Sequence, residues 1–236
     1  MRLDKFLSVT ATASRSEAGK AARAGQITVN GKPVKKADMT IDPERDTVTY
    51  CGRTVCYKPY RYVLLNKPDG YVSATEDGRD PTVLELLPPL YAALGLFPCG
   101  RLDKHTIGLM LLTNNGELSH RLLSPKRHVA KRYAFRCKFP LTEEECARFR
   151  DGLVLEDGYE TKPALIELFE DARSGVITLV EGKYHQIKRM LEALHNQITY
   201  LERISFGPLT LPQELGRGEW RELSAEEEAA LLDAAK

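Results

Sequence analysis

The sequence predicts an α+β protein in two parts: a small head with its linker over residues 1–58, and a larger body over residues 59–236. Three observations carry this reading. Residues 1–36 run helix, helix, hairpin. A break punctuated by Gly52, Lys58 and Pro59 then precedes a strong strand opening at Tyr60. Charge also changes along the chain. Residues 1–58 hold 11 Lys and Arg against 6 Asp and Glu, residues 219–236 hold 2 against 6, and the whole chain nets only +1. A basic head on a near-neutral body suggests a polyanion-binding module joined to something else.

In the head, Leu3, Phe6 and Leu7 share one helical face. Ser14 and Glu17 have capping-box spacing and start a second helix containing Ala18, Ala21 and Ala22, which Gly25 is placed to end. Ile27-Thr28-Val29 reads as a strand turned by Asn30-Gly31, a dipeptide that supplies the positive φ angles of a two-residue hairpin. Arg2, Lys5, Arg15, Lys20 and Arg23 fall on the polar side of the helix pair. Cations on one helical surface can meet phosphates by shape and charge, without reading bases.

In the body, the strand from Tyr60 to Asn66 runs into Lys67-Pro68-Asp69-Gly70, where Pro68 and Gly70 mark a turn and Lys67 reads as solvated or phosphate-facing. Leu118 to Leu123 reads as a short helix broken by Ser124-Pro125, and Lys126, Arg127, His128, Lys131 and Arg132 follow as a basic cluster. Tyr133, Phe135, Cys137 and Phe139 alternate with Arg132, Ala134, Arg136 and Lys138, the pattern of a half-buried strand with Tyr133 pointing inward. Periodicity alone makes Tyr133 a core aromatic as readily as a site residue. Thr142 and Glu145 cap a helix through Phe149, Gly152 to Glu160 is a loop or hairpin, and Ala164 leads into a strand. A further strand runs from Gly175 to Glu181, and strand-like pattern returns over residues 201–211. Glu219 onward reads as an acidic C-terminal helix opened by Ser224.

Two segments carry chemistry. The first is Gly100–Gly116, in which Asp103 stands between the cations Arg101 and Lys104 and the apolar run Ile107 to Leu112. An ionised side chain so close to a core needs a partner or a task. The second is Glu181–Met190. There Ile187, Met190, Leu191 and Leu194 have the spacing of a packed helix, and His185, Lys188 and Arg189 cluster at its start. Cations at a helix start favour an anion.

Other classes find no support. No run approaches a membrane span, and Met1–Lys5 opens without an apolar signal-peptide core, so a cytoplasmic protein is expected. Five cysteines with no CxxC pair suggest free thiols rather than disulfides or zinc. There is no glycine-rich phosphate loop, no HExxH and no carboxylate pair at metal spacing, so neither cofactor nor metal is expected.

The string Gly100-Arg101-Leu102-Asp103, with Thr106, Gly108, Leu109, Thr113, Asn114 and Gly116, closely resembles the signature of the pseudouridine synthases, most of all the RsuA branch that modifies ribosomal RNA. His105 stands where that family often has a second acid, and Asn115 where it has Asp. Three further matches occur in the family's order: Asn66-Lys67-Pro68-x-Gly70, Lys131-x-Tyr133 and Glu181–Met190. Residues 1–46 resemble the S4 RNA-binding domain, through Arg2 to Leu7, Ser14 to Ala18 and Ile27 to Gly31.

The resemblance implies a body built on a mixed, mostly antiparallel sheet, and an enzyme that isomerises uridine to pseudouridine. It implies Asp103 as the catalytic nucleophile, Tyr133 stacking on a flipped base, and Arg101 filling the vacated space or gripping a phosphate. A basic residue of the Glu181–Met190 motif would pair with Asp103. Lys188 is the best match, with Arg189 and Lys183 as competitors and as RNA contacts beside Arg2, Lys5, Arg15 and Arg23. A counter-charge is chemically expected, because apolar surroundings disfavour a carboxylate and a nearby cation favours it. The implied partner is ribosomal RNA or a pre-ribosomal particle, met by a monomer away from any membrane. Small-subunit 16S RNA is the expected target. A large-subunit 23S target and a non-catalytic ribosome-assembly factor are the alternatives, the latter opposed by an intact Asp103, Tyr133 and Lys188 set.

Overall fold

The computed structural model describes residues 1–236 and forms two compact units. The first is Met1–Arg61 with Leu87–Phe97, and the second is Tyr62–Leu86 with Pro98–Lys236. Residues 87–97, assigned to the body by sequence, group with the first unit, where Leu94 and Leu96 are buried. So short a segment carries no period that could assign it.

The first unit packs α1 (Leu3–Val9) and α2 (Arg15–Arg23) against a four-stranded antiparallel sheet. Its strands are β1 (Ile27–Val29), β2 (Lys32–Pro33), β3 (Val48–Tyr50) and β4 (Arg53–Val55), in the order β2-β1-β3-β4. The capping box forms in full: Ser14 Oγ accepts from Glu17 N at 3.3 Å, and Glu17 Oε2 accepts from Ser14 N at 2.8 Å. Asn30 and Gly31 both take positive φ, 52° and 76°, which matches the twist of the strands they join. Leu3, Phe6 and Leu7 bury against Ala18, Ala21, Ala22, Ile27 and Val48, the alanines letting the two helices approach closely. The break punctuated by Gly52, Lys58 and Pro59 contains a strand. Cys51 and Gly52 turn a second hairpin into β4, whose largely exposed residues give no alternation to read.

The strands of the second unit's sheet include β5 (Tyr62–Lys67), β6 (Phe97–Pro98, of which Pro98 belongs to this unit), β7 (Ile107–Thr113), β8 (Lys131–Cys137), β9 (Leu165–Leu168) and β10 (Ser174–Leu179). They continue with β11 (Ile198–Phe206), β12 (Leu209–Thr210) and β13 (Trp220–Glu222). The main path runs β13-β5-β7-β11-β8-β10-β9, with β12 beside β11. Only β7 and β11 pair in parallel along this path, so the sheet is mixed and mostly antiparallel as expected. β5 is buried throughout and β7 nearly so, as in strands covered on both faces. The helices are α3 (Gly116–Leu123), α4 (Glu143–Asp151), α5 (Gln186–Glu192) and α6 (Ala225–Asp233). Tyr62, Leu64, Leu109 and Leu111 share one core cluster with Leu118 and Leu122 of α3 and Leu231 of α6.

Two boundaries differ from the sequence reading. Residues 220–222 form an edge strand on β5 rather than the start of the C-terminal helix, which begins only after Ser224. Three residues, one of them acidic, carry too little pattern to reveal a strand. The alternation of β8 holds for Tyr133, Phe135 and Cys137 but ends there, leaving Phe139 exposed beyond the strand.

Gly108 sits where β7 leaves the motif loop. Its φ is 100°, and a Cβ there would strike the Arg203 backbone of β11. Gly108→Ala should therefore lower stability by about 3 kcal/mol, read as an earlier urea midpoint, by combining strain with a broken β7–β11 register. A midpoint equal to wild type would show that this approach is not required.

Candidate active site

The segment Gly100–Thr106 is a loop pinned from several sides. Lys67, at the end of β5, is fully buried, and its Nζ donates to the carbonyls of Pro68, Lys104 and Thr106 at 3.2, 3.0 and 2.8 Å. Ser73 Oγ donates to Leu102 O at 2.8 Å and accepts from Leu102 N at 2.9 Å. Lys104 pairs with Asp80 at 2.6 Å, and Gly70 N donates to Lys104 O at 3.0 Å. Lys67 was expected to face solvent or phosphate, and the structure corrects this. A strand covered on both faces carries its terminal lysine inward, and three carbonyl acceptors compensate the burial. Desolvation pulls this amine down to about 8, opposed by Asp69 and Asp103.

The two departures from the family pattern have local partners. His105 Nδ1 lies 2.9 Å from Asp69 Oδ1 at the surface. Asn115 caps α3, accepting from Leu118 N at 3.0 Å, and its Nδ2 donates to Tyr62 OH at 2.9 Å. Neither is among the side chains that meet the Asp103 carboxylate.

Asp103 is half-buried, its side chain 26% exposed, and its carboxylate receives three neighbours. Lys188 Nζ lies 2.7 Å from Oδ2, His185 Nε2 lies 3.5 Å from Oδ1, and Thr106 Oγ1 lies 3.5 Å from Oδ2. The last two are long contacts, so the lysine dominates. His185 holds a left-handed backbone, φ 50°, immediately before α5, and Lys188 lies in the first turn. The other cations of this motif go elsewhere. Arg189 pairs with Asp157 at 2.5 Å, and Lys183 Nζ lies 4.6 Å from the centre of the Tyr159 ring. Among the three basic candidates, Lys188 is the one at Asp103.

Asp103 opens onto a cleft of about 890 Å³ lined by Arg101, Tyr133, Tyr159 and Tyr184 among others. Tyr133, buried on β8, stands in register opposite Arg203 of β11. Arg101 is exposed and has no hydrogen-bond or ion-pair partner. Arg203 is only 1% exposed; its Nε donates to Leu109 O at 2.7 Å and its guanidinium lies 5.2 Å from the Phe206 ring centre. Lys131 shares that ring at 5.6 Å and donates to Val129 O at 3.0 Å. Buried Glu181 accepts from Tyr159 OH at 2.8 Å, Lys162 N at 3.0 Å and Gln186 Nε2 at 2.5 Å, tying the loop that carries Tyr159 to the start of α5.

Burial, then Arg203, pulls the Lys131 amine down to about 8. The unfolded chain therefore binds more protons than the folded one between about pH 8 and 10.5. Stability relative to Lys131→Met should rise across that window, being lowest below pH 8, where the buried amine is charged. Urea midpoints of both proteins at pH 7.5 and 10 test this, and a constant difference would contradict it.

Sequence reasoning brought together Asp103, Tyr133, Lys188 and Arg101, and all four line one continuous region of the second unit. It missed the inward roles of Lys67, Arg203 and Glu181. A signal for Arg203 existed, since it shares the parity of Leu201 and Ser205, both buried. The head cations lie in the first unit: Lys5, Arg15 and Arg23 are exposed, and Arg2 pairs with Asp4 at 2.6 Å. No group of three His, Cys, Asp or Glu side chains is arranged to hold a metal ion.

Residues 61–193 match the RNA pseudouridylate synthase family, and residues 1–47 match the S4 domain. An uncharacterised RNA pseudouridine synthase of Bacillus subtilis, YtzG, is 45% identical over 96% of both chains. The ribosomal small subunit pseudouridine synthase A of Escherichia coli K12 is 39% identical over 98% of this chain and 100% of its own. The crystal structure of a pseudouridylate synthase superposes with a TM-score of 0.68 at 36% identity, covering 98% of this chain and 99% of that one.

Proposed function

Because the chain belongs to the RNA pseudouridylate synthase family, we propose that it converts one uridine of small-subunit ribosomal RNA to pseudouridine, with Asp103 as nucleophile. The observation that carries this is the Asp103–Lys188 pair at 2.7 Å, opening onto a cleft walled by Tyr133. The ribosomal target is suggested by full-length likeness to the E. coli small-subunit enzyme.

The reaction breaks the bond from ribose C1′ to uracil N1, turns the base, and joins C1′ to C5. C5 loses a proton and N1 gains one, so atoms and oxidation state balance. Asp103 supplies the carboxylate that attacks the uridine and is regenerated. Lys188 balances its charge through the cycle. Extruding the uridine costs on the order of a few kcal/mol, part of which stacking on Tyr133 recovers. Arg101, exposed at the rim, fills the vacated space or grips a phosphate. Arg2, Lys5, Arg15 and Arg23 hold the RNA by its backbone. Asp103, Tyr133 and Lys188 come from one unit of one chain, which supports action as a monomer.

Mapping pseudouridine across ribosomal RNA from cells with and without the gene tests the target. Loss of a single small-subunit site is expected. Loss of a large-subunit site would move the target, and no lost site would contradict a ribosomal role.

A further inference from the structure

Tyr184 is a large aromatic residue left 70% exposed at the mouth of the cleft. It stands directly before the residues that reach Asp103. Its ring stacks on His185, with centroids 3.8 Å apart and planes 17° from parallel. One face of the ring is thus covered, and the other is open to solvent. The same His185 reaches Asp103 Oδ1 at 3.5 Å, so the open face lies two side chains from the reacting carboxylate. Tyr184 takes no part in the core. Tyr133 already supplies an aromatic wall to the cleft that receives the target base. An exposed ring with one free face and the other backed by an imidazole is a surface on which an unstacked nucleobase can rest.

Resting on the proposed function, we infer that the open face of Tyr184 is a stacking platform for an unpaired base next to the target uridine, making it a specificity residue separate from the catalytic set. Flipping the uridine breaks its stacking with its neighbours, and a neighbour that leaves the helix with it needs a new surface. Lys183, the preceding residue, is exposed and can meet the phosphate between the two nucleotides. A ring platform recognises a base by its π face, so the expected preference is for a larger, purine base over a pyrimidine, without hydrogen-bond readout.

The test uses the full-length protein and short RNAs spanning the mapped uridine, with the intact sequence or an abasic site at each flanking position. With intact RNA, Tyr184→Ala should raise KM by about 10-fold or more, and Tyr184→Phe and Tyr184→Trp should restore it. With the abasic flank the wild type should lose that same factor, and Tyr184→Ala should add little further loss. Two results overturn the platform alone: an unchanged KM for Tyr184→Ala, or an equal loss on intact and abasic RNA. The second would mean that Tyr184 only positions His185, and its loss would then fall on kcat. Absence of turnover by the wild type on every RNA would instead remove the proposed function, and the platform with it.

Discussion

Asp103→Asn should reduce pseudouridine formation by about 10⁴-fold or more while leaving RNA binding close to wild type. The substitution keeps the shape of the side chain and removes the nucleophilic oxygen. The loop around it should stay in place, because its anchors lie elsewhere: Lys67 on the carbonyls of Lys104 and Thr106, and Ser73 on Leu102. Lys188 loses its counter-ion but is 26% exposed, so water can solvate the released charge. A single-turnover assay with a pseudouridine-specific chemical probe reads the rate, and filter binding reads the affinity. A variant with normal turnover would remove Asp103 from the chemistry.

Lys188→Met should lower kcat by about 10²- to 10³-fold with little change in KM. Its ammonium is the one basic group within 3 Å of the Asp103 carboxylate, and methionine preserves the length of the stem without the charge. His185 at 3.5 Å is too distant to replace it. Arg189 cannot move in without leaving Asp157. Lys188→Arg should recover part of the loss, because charge returns although the fork of a guanidinium fits the site less well. Equal rates for wild type and Lys188→Met would show that the pair is structural. A loss confined to KM would assign Lys188 to RNA binding.

Much of this site could be read from the residues in order. Asp103, Tyr133 and Lys188 lie on a loop, a strand and a helix start that local pattern identifies, each within a motif of its own. Which basic residue meets Asp103 could not be decided that way. Lys183, Lys188 and Arg189 are near neighbours in sequence, and only the left-handed backbone at His185 and the partners Asp157 and Tyr159 separate them. The capping boxes at Ser14 and Thr142 and the Asn30-Gly31 turn were legible because each rests on contacts within a few residues. Lys67, Arg203 and Glu181 were not, because their compensation comes from distant backbone and side chains: Lys67 from the motif loop, Arg203 from Leu109, Glu181 from Tyr159. A buried charge looks like a surface charge until those partners are known. The short strands β4 and β13 escaped for a related reason, since their pairing partners rather than their own residues define them.

The most direct test treats small-subunit ribosomal RNA lacking the modification with pure protein and maps pseudouridine at single-nucleotide resolution. One new pseudouridine with the wild type and none with Asp103→Asn is the expected result. No new pseudouridine with the wild type, or the same one with Asp103→Asn, would contradict a uridine isomerase built on Asp103.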